Sequence, residues 1–307
     1  MTDAAMAEAA AVGTGAVSLQ IRRNERRGSR RHFSSRVARD ALRSLYDELT
    51  TYPKPGLVSL VDSGSHADMD ASTFVRSLFA LRHYFRRIAV AGADGARFSE
   101  LKRLGIEAES AMLDATGGVN THRGAIFALG LLCAAAGRCH ADGLAPTPAA
   151  LRAVLLIHWG GDLAAHAGDI GSESHGGRVA RRYQAGGARQ EAALGFPSVF
   201  ELALPTLGST LAAGRSWRCA RIDAIFTLMA EVGDTNVYYR GGLDGHRLVQ
   251  QHARQFADRG GTARRDWFAA ALACHQTFTA RRLSPGGAAD LLAAACFVWR
   301  TGGSMPA

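Results

Sequence analysis

Two stretches of this 307-residue chain concentrate side chains able to do chemistry. The first is Pro53-Lys54-Pro55-Gly56-Leu57-Val58, followed by His66-Ala67-Asp68-Met69-Asp70. The two prolines stiffen the backbone around one lysine and so fix where its ammonium reaches. Only Lys54 and Lys102 are lysines among the 36 Lys and Arg residues. A compact ammonium binds a phosphate oxygen as a point charge, where a guanidinium fork does not fit; the plain alternative is a chance surface lysine. Asp68 and Asp70 suit Mg²⁺, which takes oxygen ligands beside a phosphate and keeps several waters. They suit equally the acidic cap of a helix beginning near Asp70, which the helix dipole favours.

The second stretch runs Thr116-Gly117-Gly118-Val119-Asn120-Thr121-His122-Arg123-Gly124 and stands just before an apolar segment. Amides at a helix N-terminus bind phosphate, glycines let them approach it, and Arg123 adds charge. Asn120 or Thr121 also reads as an ordinary N-cap. No Walker-type or Rossmann-type glycine pattern occurs, so a nucleotide bound here is held by another framework. A zinc site from His66, His122, His158, His166 or His175 is disfavoured, because these lack i, i+4 spacing and cysteine partners.

Helices must position these groups. From about Val37 onward, apolar residues fall at helical spacing: Leu42, Leu45 and Leu49; Phe74, Leu78, Leu81, Phe85 and Ile88; Leu101, Leu104, Ala108 and Met112; Ile126, Leu129, Leu132 and Cys133. Ile222, Ile225, Phe226 and Met229 continue the pattern, as do Leu291, Leu292, Ala295 and Phe297. Thr147-Pro148 and Ser284-Pro285 each read as an N-cap followed by a first-turn proline. Alternating patterns are scarce, so strands have little support. The expectation is an all-α fold of roughly ten helices in one domain over 37–307, behind a disordered arginine-rich extension over 1–36. Five polar, glycine-containing segments interrupt it, at 53–70, 116–124, 168–191, 234–242 and 284–290.

At 47% hydrophobic the chain can bury a large core. Five cysteines without metal-type spacing read as reduced thiols, mostly small core residues. The longest apolar run, Gly124 to Gly137, is too short for a membrane helix, and the start lacks a signal pattern. A cytoplasmic protein with no membrane contact is expected. Arg22, Arg23, Arg26, Arg27, Arg30, Arg31 and Arg36 carry most of the net charge of +9. Such a tail reads as a solvated extension; its alternative, a nucleic-acid or acidic-partner arm, is disfavoured by the polar motifs concentrated elsewhere, so no nucleic acid is expected.

The lysine and histidine motifs, Gly64-Ser65-His66-Ala67-Asp68-Met69-Asp70, Gly117 to Gly124 with Ala125-Ile126-Phe127, Gly187-Ala188-Arg189, Gly195-Phe196-Pro197 and Asp234-Thr235-Asn236 together resemble the triphosphoribosyl-dephospho-coenzyme A synthases. The resemblance spans roughly 38–300 and keeps the family's order. It implies an all-α transferase that joins ATP and 3′-dephospho-coenzyme A with release of adenine. The product is a prosthetic-group precursor, handed on through a phosphoribosyl-dephospho-CoA transferase to an acyl carrier protein. Ser174-His175-Gly176-Gly177-Arg178-Val179-Ala180-Arg181-Arg182-Tyr183 looks like the malonate decarboxylase form rather than the citrate lyase form.

For that reaction Lys54, Arg123 and Arg189 are expected to hold the triphosphate, with Gly56, Asn120, Thr121 and Gly124 around it. Mg²⁺ is expected on Asp68 and Asp70. His66 or His122 is the expected proton shuttle, since an imidazole titrates near neutral pH. Glu109 and Asp234 are further carboxylates for base or metal work. The rival readings are a Mg²⁺-dependent helical hydrolase of N-glycosidic bonds and a nucleic-acid-binding module.

Overall fold

Stripes of apolar side chains three and four residues apart cannot be buried by an isolated helix, so successive helices must cover one another. The computed structural model describes residues 30–168 and 187–302. Among these residues there are eleven α-helices and no strand. They are α1 over 30–50, α2 (Ala71–Ala93), α3 (Phe98–Thr116), α4 (Arg123–Ala141), α5 (Pro148–Gly168) and α6 (Gly187–Ala193). After a π-helical turn at Ser198–Ala203 come α7 (Leu204–Ala212), α8 (Trp217–Glu231) and α9 (Thr235–Asp258). A 3₁₀ turn at Gly261–Ala263 leads to α10 (Trp267–Ala280) and α11 (Gly286–Thr301).

The core is built on α4, buried almost all round from Ala125 to Cys139. Helix α2 lies directly against it. A Cβ on Gly137 would meet the backbone of Ala89, and one on Gly92 would meet the backbone of Ala134. Main chains therefore touch, and alanine and glycine fill the seam because nothing larger fits. Length and composition alone would let α4 cross a membrane, and the expectation that this run is too short does not hold for the 19-residue helix. Some 72% of its apolar window is nevertheless packed inside the protein, as befits a core helix. Four of the five cysteines are buried free thiols and Cys219 is partly buried.

The boundary expected at residue 36 falls inside α1, which is already helical at residue 30. Phe33 stacks on His140 with ring centroids 4.1 Å apart, Ser34 is buried, and Arg30 pairs with Asp94. These tertiary contacts hold a segment whose local composition reads as tail. Residues 1–29 lie outside the described residues, as does the 174–183 motif.

Thr147 caps α5 as expected, accepting the Ala150 N–H at 3.2 Å. Ser284 does not cap α11. Its hydroxyl is engaged by His66, and the first-turn amides of α11 are capped from elsewhere in the chain by Asp234.

Candidate active site

The turn at 53–66 is fastened to the α10–α11 junction. Gly56 has φ +70° and lies against Phe278 and Leu283, so a side chain there would be both strained and obstructed. Its role is close packing. Ser65 Oγ donates to the Leu283 carbonyl at 2.6 Å. His275 in α10 reaches the Lys54 carbonyl through Nδ1 at 3.1 Å and Asp62 through Nε2 at 3.2 Å.

Lys54 is 1% exposed, and its ammonium donates to the Glu48 carbonyl at 3.0 Å and to the Glu48 carboxylate. Burial pushes the Glu48 carboxyl up and the Lys54 ammonium down, and each group opposes the shift of the other. The reach to a phosphate oxygen expected from composition is not what this geometry offers, because the charge is spent on an interior partner. Glu48 sits one residue before Leu49 on the apolar side of α1, where an acid is the signal that something must neutralise it.

His66 lies at the outer end of this turn. Its Nε2 is 2.8 Å from Ser284 Oγ, and Arg240 of α9 donates to Nδ1 at 3.2 Å. A guanidinium only donates, so Nδ1 accepts and the proton sits on Nε2. Asp68 stands 3.5 Å from the same Nδ1. Burial first and Arg240 second hold the His66 pKa below its ordinary value, against the pull of Asp68. Replacing Arg240 with glutamine is therefore expected to move the His66 pKa upward in an NMR titration of its ring protons; an unchanged titration would refute the arrangement.

Asp70 is the N-cap of α2, accepting from the Thr73 amide and hydroxyl at 2.9 Å each and from Ser72 Oγ at 2.8 Å. These bonds, the Thr73 amide foremost, hold its carboxyl down at about 2, so it is ionised throughout the neutral range. The capping alternative is thus realised. Among the described residues no group of three or more His, Cys, Asp or Glu could by itself hold a metal. Mg²⁺ that arrives with a triphosphate needs only one or two carboxylates, and the exposed Asp68 with the ionised Asp70 fits that lighter demand.

Helix α4 begins at the other stretch. Gly117 is the left-handed C-cap of α3, φ +68°, so this glycine ends a helix rather than cradling an anion. The N-cap of α4 is His122 rather than Asn120 or Thr121, and it makes no side-chain capping bond; Asn120, two residues earlier, accepts the Arg123 amide through Oδ1 at 3.2 Å. Arg123 leans out to Glu109 of α3, with Nε to Oε2 at 3.0 Å. Thr121 Oγ1 is buried without a hydrogen-bond partner.

His122 is 3% exposed. Ser77 Oγ of α2 lies 2.6 Å from its Nδ1, and the Phe74 ring meets it edge-on at 4.9 Å. Its Nε2 is buried and has no partner. Burial, and secondarily the nearby Lys54 charge, push its pKa down to about 3. His122 therefore lacks the near-neutral pKa expected of it, and His66 is shifted in the same direction, since both are removed from water beside a cation. His122 is a neutral imidazole with one nitrogen open.

Asp234 caps α9 through the amides of Asn236, at 2.8 Å, and Val237, and reaches across to Ala288 at 3.1 Å and to Gly287. Burial pushes its carboxyl up despite these four bonds. Asp290 completes the interior: it accepts the Ala125 N–H and lies within electrostatic reach of Glu48, Asp234 and Lys54. Burial and those two carboxylates drive its carboxyl well above the ordinary range. Arg189 lies in α6, two residues after Gly187, where a Cβ would sit 3.2 Å from Thr235 at the start of α9.

The two stretches thus come near one another: His122 packs on Ser77 and Phe74 of α2, the helix that Asp70 caps, and lies within electrostatic reach of Lys54. Glu48, Ser77, Arg240 and Asp290 are not singled out by the sequence, which marks Ser284 only as a cap. Asp290 had a signal, as an acid in an apolar helix three residues after the Gly286-Gly287 pair.

The CitG family, ATP:dephospho-CoA triphosphoribosyl transferase, matches residues 34–305, and this chain belongs to it. A 2-(5''-triphosphoribosyl)-3'-dephosphocoenzyme-A synthase of Klebsiella pneumoniae is 40% identical over 279 residues, covering 89% of this chain and 98% of the relative. One from Pectobacterium atrosepticum is 40% identical over 256 residues, 80% of this chain and 82% of the relative. A probable synthase of the same description from Acinetobacter calcoaceticus is 36% identical over 255 residues, 83% and 87%. No solved structure matches this chain.

Proposed function

We propose that the chain transfers the triphosphoribosyl group of ATP to the 2′-hydroxyl of 3′-dephospho-coenzyme A and releases adenine. The bond from C1′ to the base breaks, a bond from C1′ to the acceptor oxygen forms, and the hydroxyl proton leaves as the base takes one up. Glycosyl transfers of this kind pass through an oxocarbenium-like state, so the site must move protons and hold the triphosphate still.

The observation that carries the reading is the open Nε2 of His122, a neutral imidazole nitrogen buried without a partner beside Arg123. A neutral imidazole can relay the acceptor's proton without becoming charged, taking a proton at one ring nitrogen as it gives one up at the other. His66, oriented by Arg240 and Ser284, is the second candidate for proton transfer. In this reading Arg123, held by Glu109, and Arg189 supply the positive charge for the triphosphate, while Lys54 and Asp234 shape the interior. Asp68 and Asp70 would hold Mg²⁺, which supplies charge neutralisation to the phosphates.

The proposed destination of the product is the carrier protein of malonate decarboxylase, resting on the motif at 174–183. Deleting the chain in its host tests the branch: loss of the prosthetic group from the malonate decarboxylase carrier is expected, and loss from a citrate lyase carrier alone would reverse it. For the reaction itself, adenine is expected only when ATP, Mg²⁺ and dephospho-coenzyme A are all present, and EDTA is expected to stop it. Adenine formed without dephospho-coenzyme A would instead mean hydrolysis of the N-glycosidic bond.

A further inference from the structure

Gly124 is the second residue of α4, and a Cβ there would lie 2.9 Å from Cγ of Asp290 and closer still to Oδ2. The Asp290 side chain, from the fifth residue of α11, fills the space that any side chain at 124 would need. It also accepts the Ala125 N–H, so one carboxyl closes on two consecutive residues of the first turn of α4. The start of α11 is itself held by Asp234, which caps α9 with the same carboxylate. Three helix starts, those of α4, α9 and α11, are thereby tied by two acids.

The fold alone does not call for an acid at 290. A carboxyl beside Glu48 and Asp234 is costly to bury, and an apolar residue would forfeit only one capping bond. Departures of this kind gather where a site must be held in place. The turn that Asp290 holds carries His122 and Arg123.

We infer that Asp290 is a positioning residue for the transfer reaction: seated in the notch left by Gly124, it fixes the first turn of α4 so that His122 and Arg123 meet the substrates in register. The inference rests on the reading that His122 belongs to the active site. Displacing a reacting group by about 1 Å costs on the order of a hundredfold in rate, while much of the binding surface is untouched.

Asp290→Ala is therefore expected to lower kcat about thirtyfold or more, with KM for both substrates within about threefold of wild type. Asp290→Asn keeps the shape and an acceptor for Ala125, and is expected to restore kcat to within about threefold of wild type. Gly124→Ala, whose methyl displaces the carboxyl, should reproduce the Asp290→Ala loss. The double variant should be no worse than either single one, because the space is then free. Circular dichroism and urea midpoints accompany each variant; if Asp290→Ala does not fold, Gly124→Ala and Asp290→Asn carry the test. Wild-type kcat in folded Asp290→Ala or Gly124→Ala, or losses that multiply in the double variant, would overturn the positioning role. His122→Gln separates the two claims. If it keeps full kcat, the placement of the site at α4 fails; if it loses kcat while Asp290→Ala does not, the positioning role alone falls.

Discussion

Lys54→Met is expected to cost about 3–5 kcal/mol of folding stability, the usual penalty for stripping a buried ion pair of one partner. The methionine fills the same slender space, so the loss reports charge rather than volume. Glu48 would be left in the interior with its carboxyl unopposed, apart from the more distant Arg221. Its pKa is already raised in the folded protein by burial, and removing the ammonium raises it further. A carboxyl with a raised folded pKa contributes stability when protonated, below its unfolded pKa, and loses it as pH rises through the folded value. The penalty should consequently be larger at pH 8 than at pH 5, and Glu48→Gln in the same background should recover much of it. Urea unfolding at both pH values is the measurement. A change below about 1 kcal/mol, accompanied by a large rise in KM for ATP, would return Lys54 to the phosphate-binding role first read from its rarity.

His122→Gln is expected to lower kcat by about a hundredfold or more, the usual worth of a positioned proton-transfer group, with smaller changes in KM. The same residue leaves a mark on stability. Its pKa is about 3 in the folded protein against an ordinary 6.5, so the unfolded chain binds the proton first. Stability from this group is complete above about pH 6.5 and is lost as pH falls toward the folded value. Between pH 7 and pH 5 the wild type should lose about 2 kcal/mol more than His122→Gln, in which this titration is absent. Parallel unfolding curves for the two proteins across that range would show that His122 is not the buried neutral imidazole described above.

The helices were legible in the sequence wherever one face stays apolar. Leu45 and Leu49, Leu81 and Phe85, or Leu101 and Leu104 announce buried faces without knowledge of any partner. Caps were legible where the capping atom is local, as with Thr147 and Asp70. They were illegible where the cap comes from afar. Asp234 serves α11 from more than fifty residues away, so Ser284 was read as a cap when its hydroxyl belongs to His66. The start of α1 was missed for the same reason, since Phe33 is anchored by His140 across the fold.

The site followed a similar rule. Residue types and motif order brought out Lys54, His66, Asp70 and His122, and the structure joins the stretches that carry them. Their electrostatic states could not be read, because the shifts on Lys54 and His122 depend on how deeply each is buried and on neighbours far off in sequence. Asp290 illustrates the limit most plainly. Its importance lies in a contact with Gly124, 166 positions earlier in the numbering, where the informative feature is a missing side chain.

The central claim is that the chain breaks the glycosidic bond of ATP and keeps its phosphoanhydrides intact. It is tested most directly by mass spectrometry and NMR of the product made from ATP, Mg²⁺ and dephospho-coenzyme A. The expected result is one adenine released for each dephospho-coenzyme A consumed, and a product carrying the whole triphosphoribosyl group on its ribose 2′-oxygen. ADP, AMP, or a dephospho-coenzyme A bearing only a phosphoryl or adenylyl group would contradict it.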